Sequence, residues 1–320
     1  MRTRVCDLFG IERPVVLGGM ASATGPELVA AVSNAGGLGV LGCAGLPAGE
    51  IEAAARAIRE RTDRPWGANL LLFLADEASI GAVLDARPHV FSTAWPWPEQ
   101  DLAALFARAH AIGTKVLHMA STVPEARRAA EAGADAVVAQ GSEGGGHVGL
   151  MGTVALVPQV ARAVAPVPVL AAGGIATGEG LAAALALGAE GVLLGTRFLA
   201  TPEAPIASGF KEAVLASDGH DTVLTEIPDI AQGRVWPGAF SRVVRNRLIE
   251  EWSGREGELR ARRTEIGARM LAAYRAGDGD YAPLFIGQDA GLIGALEPAG
   301  AIVERIVRDA EQILRRLAAI

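Results

Sequence analysis

Along the first 200 residues the chain repeats one pattern. A short unbroken apolar run is followed by a turn of glycine or polar residues, then by apolar positions at helical spacing. The runs are PVVLGGM (14–20), GLGVLG (37–42), WGANLLL (66–72), HVFSTAW (89–95), KVLHM (115–119), AVVAQ (136–140), PVLAAGG (168–174) and GVLLG (191–195). Helical spacing occupies 26–35, 47–61, 99–111, 122–132 and 178–187. Strands covered by helices on both faces read as continuous apolar runs, whereas half-exposed strands alternate. The order therefore predicts eight parallel βα units. Eight units in about 200 residues match an α/β fold of the TIM (β/α)8 barrel type, whose sites lie at the carboxyl ends of the strands. A doubly wound sheet would use the same elements.

Beyond residue 200 the pattern changes. Residues 201–297 contain TPEAPIASGF, WPGAF and GDGDYAPLF without further strand runs. They predict a small, strand-free helical lobe placed to bind substrate or act as a lid. The segment 298–320 carries Ile302, Val303, Ile306, Val307, Ala310, Ile313, Leu314 and Leu317 on one face. That is an amphipathic helix returning to complete the barrel of residues 1–200.

Composition narrows the function. Half of the residues are apolar and only 5% are aromatic, as in a globular chain, and the net charge is −7. No basic stripe is present to meet nucleic acid. Cys6 and Cys43 are too few for a disulfide framework or a zinc site, which points to a reducing cytoplasm and no metal. MRTRVCDLFGIERPVV lacks the apolar core of a signal peptide, and no run is long enough for a membrane span. A cytoplasmic monomer or homodimer acting on a small molecule is expected.

GLGVLG matches G-x-G-x-x-G, but a helical pattern precedes it and the next helix begins only near Pro47, so it is no dinucleotide fingerprint. Two other glycine turns carry more. AAGGIATGEG (171–180) and GTRF (195–198) follow the last two strand runs. Bare backbone N–H groups there form an anion cradle of Gly173, Gly174, Gly195 and Thr196, although tight βα turns alone also favour glycine. AQGSEGGGHVG (139–149) holds five glycines around His147, directly after the sixth run. A planar ligand lying on bare backbone accounts for the missing side chains, and a histidine there is placed for proton transfer. His89, His110, His118 and His220 have no such context and read as structural.

These motifs, with GQDAGLI near residue 290, resemble the nitronate monooxygenase family of FMN-dependent barrels over nearly the whole chain. The same signature is similar to that of FMN-dependent enoyl-ACP reductases and certain NADH:quinone reductases. The resemblance implies FMN as cofactor. It places Gly19, Met20 and Ala21 against the isoalloxazine, Asn69 at its pyrimidine edge and Lys115 near N1 and O2. Gln140, Gly144, Gly145 and Gly146 would line the ring, the glycine cradle would hold the phosphate, and His147 would be the base. It implies oxidation of alkyl nitronates with O2. The alternatives are an NAD(P)H-dependent reductase of a quinone or enoyl thioester, or a non-catalytic flavin binder. The chain departs from the family in Gly18-Gly19, in Trp95 and Trp97 after the fourth run, and in having only Tyr274 and Tyr281 as tyrosines.

Overall fold

The computed structural model describes residues 1–319. Its strands are β1 (Val15–Leu17), β2 (Gly39–Gly42), β3 (Trp66–Leu71), β4 (Val90–Ala94), β5 (Lys115–Ala120), β6 (Ala136–Gln140), β7 (Gly146–Val148), β8 (Val169–Ala172), β9 (Gly191–Leu194), β10 (Thr222–Thr225) and β11 (Phe240–Val244). Eight of them pair in parallel in the order β1-β9-β8-β6-β5-β4-β3-β2. A parallel bridge between Val16 and Leu38 joins the two ends, so the sheet closes into the expected TIM barrel. Each of the eight apolar runs contributes one barrel strand.

Burial follows the pleat. Val16, Leu38, Val40, Val90, Leu117, Val138 and Leu170 form one buried cluster with Val5, Cys6, Phe9 and Ile11. Those last four come from the helix Arg4–Phe9 and the residues just after it. Alternate residues such as Val15, Leu17, Leu41, Phe91, Val116 and Val137 belong to a second cluster, shared with the surrounding helices. The helix Ala299–Leu317 joins this cluster through Ile302, Val303, Ile306, Val307 and Ala310, packing on the helices Gly178–Ala186 and Pro26–Asn34. GLGVLG serves close packing: a Cβ on Gly39 would collide with the Val29 backbone of the preceding helix.

The segment 201–297 differs from the strand-free lobe expected. It carries β10 and β11, which pair antiparallel, and β11 also pairs with β7. These strands form a separate three-stranded sheet outside the barrel. They are short and only partly buried, so no continuous apolar run marks them, and β7 lies inside the glycine loop. Non-local pairing makes them strands. Around them the lobe has its own core, including Trp252, Leu259, Ile266, Met270, Tyr281 and Ile286. Among the described residues no helix is long and apolar enough to cross a membrane.

Candidate active site

A cavity of about 800 Å³ opens where the carboxyl ends of the barrel strands meet the lobe. The barrel side presents Asn69, Ser92, Met119, Gln140, Ala172 and Leu193; the lobe side presents Trp236, Met270, Leu271, Tyr274 and Phe285. Gly19, Met20, Ala21, Gly144, Gly145, Gly146, His147, Gly173, Gly174, Gly195 and Thr196 all line it. The structure thus gathers sequence positions from 19 to 196 around one space.

Lys115 is the exception and corrects the expectation. It is the first residue of β5, at the amino end of the barrel, and its Nζ pairs with Asp135 Oδ1 at 3.0 Å. The β5 residue in the cavity is Met119, four positions on. At about 3.3 Å per residue the two lie roughly 13 Å apart along the strand. Trp95 lines the cavity, whereas Trp97 lies outside it, with its ring edge-on to Phe73.

The glycine loop owes its composition partly to its own chain. A Cβ on Gly145 would come within 2.5 Å of the Ile286 carbonyl carbon and 2.6 Å of Gly287 N. One on Gly141 would collide with Thr153, and one on Gly149 would come within 2.7 Å of the Ser121 side chain. At Gly146 the space is open. A ligand alone therefore does not account for all five glycines. Glu143 ties the loop down by accepting the Thr153 N–H and hydroxyl at 2.9 Å, while its carbonyl accepts Gln288 N–H at 2.9 Å. Gly173 and Gly174 turn away from β8 at φ of 95° and 72°, a region glycine enters without strain. Asn69 Nδ2 donates to Ser92 Oγ at 3.0 Å. Gln140 Oε1 is buried without a partner among the described residues.

His147 sits in β7, opposite Ser241 of β11. Its Nε2 lies 2.8 Å from Asp229 Oδ1 and 2.9 Å from Ser241 Oγ. Ser241 Oγ donates to Asp229 Oδ2 at 2.8 Å. The carboxylate accepts, so Nε2 carries the proton and Nδ1 keeps its lone pair. Nδ1 has no protein partner among the described residues. The imidazole stacks on Trp236 with ring centroids 3.2 Å apart and planes 10° from parallel. Burial pulls its pKa below the usual histidine value; Asp229 pulls upward, and Arg234 adds a smaller downward effect. The resting imidazole is neutral, with Nδ1 as the acceptor.

Asp229, Ser241 and Trp236 are site residues that sequence reasoning missed. Asp229 lies 82 residues from His147, in the helix Ile227–Gln232, and no motif connects the two. The pairing of β7 with β11 helps bring the lobe onto the histidine. Three of the remaining histidines hold structural bonds, His89 by accepting the Trp66 N–H at 3.4 Å. His118 is buried against Phe106, its Nδ1 2.8 Å from Thr93 Oγ1, and burial lowers its pKa to about 3. His110 pairs with Asp135.

The model of the nitronate monooxygenase family matches residues 2–81 and 75–309. A Rhodococcus jostii protein named (3aS,4S,5R,7aS)-5-hydroxy-7a-methyl-1-oxo-octahydro-1H-indene-4-carboxyl-CoA dehydrogenase is 41% identical over 236 residues, which are 73% of this chain and 65% of that protein. The chain thus spans just under two thirds of that relative's length. FabK from Thermotoga maritima superposes with a TM-score of 0.90 at 35% identity, covering 100% of this chain and 99% of that one. A nitroalkane oxidase from Streptomyces ansochromogenes gives 0.85 at 30% identity, covering 98% and 99%.

Proposed function

We propose that this chain, which belongs to the nitronate monooxygenase family of oxidoreductases, binds FMN in the barrel-mouth cavity and oxidises alkyl nitronates there with O2. The observation that carries the reading is the His147–Asp229–Ser241 cluster beside a cavity lined by bare backbone. The residues present fit the cofactor. Gly173, Gly174, Gly195 and Thr196 would hold the phosphate, and Gly19, Met20, Ala21 and Gly144–Gly146 the ring. Asn69 and Gln140 would meet its polar edge, where the unpartnered Gln140 Oε1 needs a donor. Bound FMN supplies a two-electron acceptor that O2 restores.

The chain's own contribution is proton control. Nδ1 of His147 takes the α-proton of a neutral nitroalkane, and Asp229 holds the other ring nitrogen through its proton. Trp236 fixes the ring plane and, with Phe285, keeps water from that side.

A second reading, reduction or oxidation of an acyl thioester, is favoured by the rim of the cavity. Arg234 and Arg263 line its exposed rim, neither paired with a carboxylate among the described residues. Both arginines suit a substrate with an anionic tail, and they agree with the name of the Rhodococcus relative. Anaerobic mixing of the FMN-loaded protein with a nitronate, an acyl-CoA, NADH and NADPH separates the readings. Flavin bleaching by the nitronate is expected. Bleaching by NADH or NADPH but not by nitronate would overturn the first reading in favour of the second.

A further inference from the structure

Asp289 places in the cavity a carboxyl group that the chemistry at His147 does not use. It sits in the 3-10 turn Gln288–Leu292, only 5% exposed, where the turn packs on the helix Thr196–Leu199, and it lines the cavity together with Gly195 and Thr196. Gly287 N–H donates to Thr196 Oγ1 at 2.9 Å, which ties the chain just before Asp289 to Thr196. A Cβ on Gly287 would collide with Asp289 Oδ1 and come within 2.9 Å of Gly145 N. The carboxyl is therefore packed against the same bare backbone that lines the cofactor cavity.

Among the described residues no cation pairs with it. From the loop before β7, Glu143 spends its carboxylate on Thr153. From the helix Thr196–Leu199, Arg197 pairs with Glu297. From the helix Ser208–Ala216, Lys211 Nζ donates to the Pro202 carbonyl at 3.2 Å and Glu212 is exposed. In the turn before β10, Asp218 caps the N–H groups of His220 and Asp221, Asp221 accepts from Ser217, and His220 is exposed. Burial pushes the Asp289 carboxyl up to about 7, against smaller downward pulls from its own N–H and the Thr196 hydroxyl.

An ionised carboxylate beside an incoming phosphate would repel it strongly in a site of low polarity. A carboxylic acid removes that repulsion and adds an O–H donor to an anionic acceptor. We propose that Asp289 is a ligand of the FMN phosphate and holds it as a neutral carboxylic acid, so that cofactor binding takes up a proton. The inference rests on the FMN reading above. It makes cofactor retention a function of pH, tighter in weakly acidic medium and looser as pH rises.

The test is FMN binding to protein stripped of flavin, followed by fluorescence quenching from about pH 6 to 9. Calorimetry in two buffers of different ionisation enthalpy near pH 8, where the free phosphate (second pKa ~6) is already ionised, counts protons. Wild type is expected to take up close to one proton and to lose roughly tenfold in affinity per pH unit above about 7. Asp289→Asn retains a donor that cannot ionise, so it should bind without uptake and with little dependence on pH. Riboflavin, lacking the phosphate, should bind wild type without uptake. Equal pH slopes in wild type and Asp289→Asn, or uptake with riboflavin, would overturn the proposal. If Asp289→Asn does not fold, the contrast between FMN and riboflavin in wild type decides alone. Failure of any flavin to bind would overturn the cofactor reading along with this one.

Discussion

At His147 two opposing influences meet. Burial disfavours the imidazolium and Asp229 favours it, with burial the larger, so the folded pKa lies below the ordinary 6.5. The base form is then present at and above that value, and turnover of a neutral nitroalkane should decline only as pH falls through the depressed pKa. Replacing His147 by Asn should lower that turnover by about 10²–10⁴-fold, the usual contribution of a general base. Oxidation of the preformed nitronate should suffer less, and flavin absorbance per protein should stay unchanged. Loss of flavin would make His147 structural. Asp229→Asn should act through the histidine. An amide can donate to Nε2 and so place the proton on Nδ1, and without the carboxylate the imidazole pKa falls further. Turnover should drop by about 10²-fold while the acid limb moves to lower pH. A pH–rate profile that keeps its wild-type limb would show that Asp229 has no bearing on the base.

Within the elements, the glycine loop separates two kinds of glycine. Gly145 is crossed by the 286–287 backbone, so Gly145→Ala forces two chain segments apart. A cost of about 1–3 kcal/mol is expected from such overpacking, with weaker FMN binding. Gly146 has open space but a φ of 80°, so Gly146→Ala should cost only the strain of that conformation, about 1–2 kcal/mol. Thermal unfolding and flavin titration of the pair provide the comparison. If Gly146→Ala loses more flavin than Gly145→Ala, the open space is the cofactor's own. At the same scale, the eight barrel strands were legible because helices cover both faces and leave unbroken apolar runs. The strands β7, β10 and β11 were not, because each gains its identity from a partner about 20 to 100 residues away.

For the whole molecule, the helix Ala299–Leu317 packs beside the helices that follow the first and seventh barrel strands, Pro26–Asn34 and Gly178–Ala186. Its Ile302, Val303, Ile306 and Val307 are at most 5% exposed. At ~1.5–3 kcal/mol per buried aliphatic side chain, these four contribute about 6–12 kcal/mol. A typical domain retains only about 5–15 kcal/mol of net stability. A chain ending at residue 297 should therefore lack a cooperative thermal transition and collect in the insoluble fraction. A shortened protein that melts cooperatively and binds FMN would show that the barrel closes without this helix.

Closure into a barrel rather than a doubly wound sheet was decided by the bridge between Val16 and Leu38. The sequence by itself determined the eight βα units, the glycine turns after the last two strands and His147 as the histidine set apart. Each of these is written locally, in burial period or in turn chemistry next to a strand end. Lys115 shows where local reading stops, because strand direction places it at the barrel end opposite the site. The partners of His147 were decided only by tertiary structure. Asp229, Ser241 and Trp236 reach the histidine because β11 pairs with β7, and a contact between segments so distant leaves no periodic mark in either one. The environment of Asp289 is likewise tertiary: a carboxyl in GQDAGLI looks ordinary until folding buries it against the helix Thr196–Leu199, with no cation paired to it among the described residues.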